Sequence, residues 1–189
     1  MKNYILLAIA ITIFSGCEKP LEYKYQDKES IVICPGIDTK LANEAYYSFR
    51  EDLAQYAIKT VRQVEYPDYQ YSLALHIFNG ASGTADYKAI ASEHSLAVFE
   101  KLKNEEQIWL NSETGELDYN SDFITCLIES IQDKKLSQAL LALRKVNTIS
   151  TFSMAEDYRT SIKNAETDKA YAMFIAFESY YKYFPKIKN

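Results

Sequence analysis

The sequence predicts an all-α fold: a single-domain irregular bundle of six to eight helices, preceded by a flexible tether. Three observations lead there. Apolar residues recur at three- and four-residue steps through most of the chain after residue 38, the period of one buried helix face. Only 5 glycines and 4 prolines are present, too few for the tight turns of an all-β fold. The 16 tyrosines and 9 phenylalanines supply rings for a thick helical core, with tyrosine hydroxyls left to reach water or a partner. The length suits one ordinary domain with a full core.

The first element is not part of that domain. Lys2 gives a positive start, Ile5 to Phe14 is apolar apart from Thr12, and Ser15-Gly16-Cys17 follows at once. This order of charge, apolar run and small residues is a secretory signal, and the run is too short for a bilayer, which needs about 20 residues. Ser15-Gly16-Cys17 resembles the end of the lipobox of bacterial lipoprotein precursors. The resemblance implies residues 1–16 as a signal peptide, cleavage before Cys17, and acylation of Cys17. Two or three acyl chains, at about 0.8 kcal/mol per buried methylene, would hold the protein permanently to a membrane. Glu18 stands where an aspartate would imply retention in the inner membrane, so the resemblance further implies the outer membrane.

Residues 17–30 read as the lipidated cysteine and its polar tether, and residues 31–189 as the helical domain. Ser30 to Cys34 is a short β-branched run that stops at Pro35-Gly36, a turn signal. A long helix is predicted over 38–64, capped by Asp38 or Thr39, with Leu41, Ala45, Phe49, Leu53, Ala57, Val61 and Val64 on its buried stripe. Pro67 ends that segment, and Asp68 caps a helix over 69–78 that stops at Asn79-Gly80. A helix over 84–103 follows, then a short helix or turn at 105–110 bearing Trp109, and a polar loop over 111–120. Further helices are predicted at 121–131, 134–145, 153–164 and 167–184. The last carries Tyr171, Phe174, Phe177, Tyr180, Tyr181, Tyr183 and Phe184 around most of its axis. Such a helix is either central to the bundle or covered by a partner. Trp109, Tyr171, Phe174, Phe177, Tyr180, Tyr181 and Phe184 are therefore the candidate interaction surface. No repeat of 34 or 40 residues is evident.

The motifs of several chemistries are missing. There is no Gly-x-Ser-x-Gly elbow and no phosphate-binding loop, since Asn79 to Thr84 lacks the lysine. No His-x-x-x-His, Cys-x-x-Cys or Glu-x-x-His spacing supports a metal, and the acidic residues of 111–122 miss the calcium pattern. No cofactor is expected. The formal charge of −5, with both signs interspersed, argues against nucleic acid. His94 falls on an apolar stripe with Tyr87, Ala91 and Val98, as a hydrogen-bonded core histidine would; His76 falls with Ser72 and Asn79 on a polar stripe and is expected in solvent. Cys34 and Cys126 either pair, as export would permit, or stay as buried thiols. The expected role is a non-catalytic, lipid-anchored cell-envelope protein that binds a protein or peptide. The alternatives are an envelope enzyme using His94 with a carboxylate from another helix, and an accessory subunit of an outer-membrane complex.

Overall fold

Leu41, Ala45, Phe49, Leu53 and Ala57 repeat along one side of a 22-residue helix, Thr39–Thr60 (α1), and all five are buried. They set the first face of the core. The computed structural model describes residues 20–31, 33–60, 68–145, 149–150 and 152–187; Val61 and Val64 of the predicted stripe lie outside them. Asp68 caps the next helix, Tyr69–Ser82 (α2), accepting from Tyr71 N at 2.7 Å. That helix runs through Asn79-Gly80, where a stop was expected, and ends at Gly83. Gly83 takes the left-handed conformation (φ 72°) that a helix terminus of this kind requires, while Gly80 remains helical.

The predicted helix over 84–103 is two helices, Tyr87–Ile90 (α3) and Glu93–Leu102 (α4). Ser92 breaks them. Its backbone is extended and its Oγ accepts from Ser95 N at 3.1 Å, a helix cap inside an unbroken apolar period. Its own N–H donates to Asp52 Oδ2 of α1 at 2.9 Å, so the break is also anchored from outside. Residues 105–120 correct the prediction again. Residues 106–108 are a turn, one of the two forms expected over 105–110, and Trp109–Asn111 (β1) then pairs antiparallel with Glu116–Leu117 (β2) as a small hairpin in place of the loop.

Asp122–Ser130 (α5), Lys134–Lys145 (α6) and Ala155–Ser161 (α7) follow, the last running into a 3-10 turn over Ile162–Glu166. The final helix, Lys169–Ser179 (α8), ends before the predicted 184 and passes into a 3-10 segment over Tyr181–Lys186. Every residue from Ala170 to Ser179 is buried. Helix α8 is therefore the bundle's axis, packed by α1, α5 and the 162–166 turn, while α1 also packs against α2 and α4. The architecture is the all-α bundle that the periodicity predicts.

The polar stretch ahead of the domain is less free than its composition suggests. Residues 20–31 have no helix or strand, yet they lie strapped along α1. Glu44 Oε1 accepts from Lys24 N at 2.7 Å and Glu44 Oε2 from Tyr25 N at 3.1 Å. Asn43 Oδ1 accepts from Ile31 N at 2.9 Å, and Tyr47 donates to the Glu29 carbonyl at 3.0 Å. Leu21 and Tyr23 pack against the core. Asn43, Glu44, Tyr47 and Glu51, whose carboxylate accepts from Tyr25, are neighbours on one side of α1 at helical spacing. The tether expected over 17–30 thus ends near residue 20.

Candidate functional site

Helix α2 has its faces arranged against expectation. Ser72 and His76, placed in solvent by the polar stripe, are 2 % exposed each. The outward side carries Ala74, Phe78 and Ala81, spaced by four and three residues, and Phe78 is 70 % exposed. The buried polar groups are largely satisfied. Ser72 Oγ donates to the Asp68 carbonyl at 3.0 Å. Ser179 Oγ donates to the Ile175 carbonyl, so it cannot also donate to His76. His76 Nε2–H is therefore the donor, lying 3.0 Å from both the Ser179 carbonyl and Ser179 Oγ, while Nδ1 has no partner. Burial lowers the His76 pKa to about 4, against the opposing effect of the Ser179 carbonyl. The ring is a neutral part of the core.

The outward stripe of α2 faces α7. Ala74, Ile77, Phe78 and Ala81 line one wall, and Phe152, Ala155 and Ile162 the other, around an apolar groove of about 390 Å³. Phe152 is 79 % exposed, and Arg159 with Glu156 forms an ion pair on the rim. Two phenylalanines this open, facing each other across a groove, form an exposed apolar patch of the kind that marks an interaction site. Ser153, Glu156 and Arg159 are the polar residues of its lining, and the rest is apolar or aromatic.

A second concavity, of about 170 Å³, is polar. Tyr25, Glu51, Asp52, Tyr56, Lys59 and His94 line it, between the strap, α1 and the α3–α4 junction. His94 Nε2 lies 2.6 Å from Glu44 Oε1, which brings together the histidine and the carboxylate from another helix that the enzyme alternative requires. Their partners, however, are structural. Glu44 is 1 % exposed and already holds two strap N–H groups. Asp52 holds Ser92 N and the Tyr180 hydroxyl, and Ser92 Oγ caps α4. The arrangement clasps the strap to the bundle.

The aromatic residues expected as an interaction surface are in the core. Tyr171, Phe174, Phe177, Tyr180, Tyr181 and Phe184 are fully buried, and Trp109 is 7 % exposed. The reason is the central position of α8 and of the 3-10 segment after it: Phe177 of α8 meets Phe123 of α5 edge-on at 5.5 Å, while Tyr180 packs on Phe49 of α1 and Phe184 on Phe99 of α4, at 5.2 and 5.3 Å. Trp109 Nε1 donates to the Leu102 carbonyl at 2.7 Å, fastening the hairpin to α4. These seven residues form no surface; among the described residues the most exposed large apolar side chains are Ile33, Phe152, Phe78 and Leu110, and of these only Phe78 and Phe152 line the groove. The signal for Phe78 was in the sequence, as a second apolar stripe on α2, but a stripe alone does not say which side faces out.

Cys34 and Cys126 are joined in a disulfide, with Cα atoms 5.8 Å apart. It ties the chain just before α1 to α5. Cys17 lies outside the described residues. Among the described residues, no helix is long and apolar enough to cross a membrane, and no three His, Cys, Asp or Glu side chains are grouped to hold a metal ion. No protein-family model, curated protein or solved structure matches the chain.

Proposed function

We propose that this is a lipid-anchored protein of the cell envelope, in the outer membrane, whose domain is a non-catalytic module binding an apolar helix or peptide of an envelope protein. The groove between α2 and α7 carries the binding role. A helix that buries serine and histidine while turning Phe78 outward spends apolar surface where a monomer gains nothing from it. Two helices with an apolar trough between them suit a third helix laid along it, read through residues at three- and four-residue steps. The anchoring rests on Lys2, the apolar run and Ser15-Gly16-Cys17. The Cys34–Cys126 disulfide supports export, since such bonds persist in oxidising compartments.

A photo-crosslinking residue placed at position 78 tests the binding role in intact cells, with position 130, an exposed site on α5, as control. The expected result is a discrete protein adduct at 78 and none at 130, together with binding of an apolar dye that Phe78→Ser/Phe152→Ser abolishes. No adduct and no dye binding would overturn it. Labelled palmitate tests the anchor: incorporation into the wild type and not into Cys17→Ala is expected, and equal labelling of the two would remove the lipid.

A further inference from the structure

The strap fixes how far the domain can stand from its anchor. Between Cys17 and Leu21, the first of the described residues packed on the core, lie only Glu18, Lys19 and Pro20. Four Cα steps reach at most about 14 Å whatever path they take, whereas a free tether to residue 31 would reach about 50 Å. The start of the strap also has a defined place. Tyr23 is half-buried and close enough to Asp38, at the start of α1, and to Glu105, in the α4–β1 connection, for their charges to act on its hydroxyl. Gly36 and Gln107 are in contact beside them. These residues surround the start of the strap and so define the end of the domain nearest the lead.

We infer that the domain sits flush on the membrane, with the end formed by Tyr23, Asp38 and Glu105 against phospholipid headgroups. This rests on the lipid-anchor reading of Cys17. The partner is the headgroup layer itself, because a lead this short leaves no room for another protein between that end and the bilayer. The clasp at Glu44 and His94 holds the lead short: it keeps the strap on α1, so the residues ahead of it are all the slack there is.

Trp109, the chain's single tryptophan, is two residues beyond Gln107 and reports on this end. Full-length processed protein is reconstituted in phosphatidylcholine vesicles containing a dansyl-headgroup lipid, and energy transfer from Trp109 is measured. A second protein carries a 20-residue Gly/Ser spacer between Lys19 and Pro20, which adds about 25 Å of mean reach ahead of the folded part. The inference expects efficient transfer in the wild type and at least a fivefold loss with the spacer. Equal transfer in the two, with a fatty acid present on Cys17 by mass spectrometry, overturns the flush mounting and leaves the anchor standing. Absence of the fatty acid overturns the anchor and the mounting with it.

Discussion

His76 sits among the rings of Phe49, Tyr87 and Tyr180 with one nitrogen engaged, and burial takes its pKa from the ordinary 6.5 to about 4. Between those values the unfolded chain binds a proton that the folded chain refuses, so stability is lost as the pH falls through that window. The loss amounts to about 3 kcal/mol once the pH is below 4. Glu178 works in the opposite sense. Burial holds its carboxyl above the usual range, despite the pull of Lys182 and Tyr119, so its contribution weakens as the pH rises. Comparing the wild type with His76→Gln isolates the histidine: urea midpoints should diverge with pH, the wild type losing more on going from pH 7 to pH 4.5. Parallel midpoints would show that the ring is already hydrated. Two glycines at positive φ make a second test at this scale. A Cβ at Gly83 meets nothing within 4 Å, so Gly83→Ala should cost roughly 1 kcal/mol for the left-handed backbone alone. At Gly115 the same atom would fall 1.8 Å from the Lys182 carbonyl oxygen, which is backbone and cannot swing aside. Gly115→Ala should cost at least twice as much and loosen the hairpin, seen as faster exchange of the Trp109 and Leu117 amides.

At the scale of elements, what could be foreseen was what repeats locally. The stripe of α1, the cap at Asp68 and the ring-rich final helix are all properties of neighbours three or four residues apart, and each was legible. What failed depends on distant partners. The Ser92 break is completed by Asp52, 40 residues away, and the burial of His76 by Ser179, 103 residues away. Because α2 has apolar residues on both sides, periodicity could not choose its inner face, and the Phe78 groove stayed hidden. The strap was missed for a related reason. Most of its side chains are polar, and much of what holds it is backbone N–H donation to Asn43 and Glu44, which no side-chain pattern records. This makes Glu44 the residue to remove. Glu44→Ala takes away the acceptor of two backbone donors and the partner of His94, so the amides of Lys24 and Tyr25 should lose their protection in hydrogen exchange. Those of α8 should keep theirs, because α8 draws its stability from apolar packing. Unchanged protection at 24 and 25 would mean that packing of Leu21 and Tyr23 suffices to hold the strap.

For the whole molecule, the disulfide decides how much of the fold is held by a cross-link and how much by the core. Cys34 and Cys126 stand 92 positions apart, and the closed loop contains α1 to α4, the hairpin and the start of α5. Linking a loop of this size removes enough freedom from the unfolded chain to stabilise the fold by about 4–5 kcal/mol in the chain-entropy model. That is comparable with the whole stability of many domains, about 5–15 kcal/mol. The core is built mainly from other residues: α8 is enclosed by α1, α5 and the 162–166 turn, and Cys34 is one small member of the apolar cluster they form. Reduction should therefore leave the helical content intact at low temperature and lower the unfolding free energy by about 4–5 kcal/mol, as should Cys34→Ser/Cys126→Ser. The strap gives a further reason for the bond's position. Cys34 follows it by three residues, so the bond pins to α5 the far end of the segment whose near end is clasped by Glu44. A loss under about 1 kcal/mol on reduction would show that unfolded-state freedom is already limited by residual structure rather than by the bond.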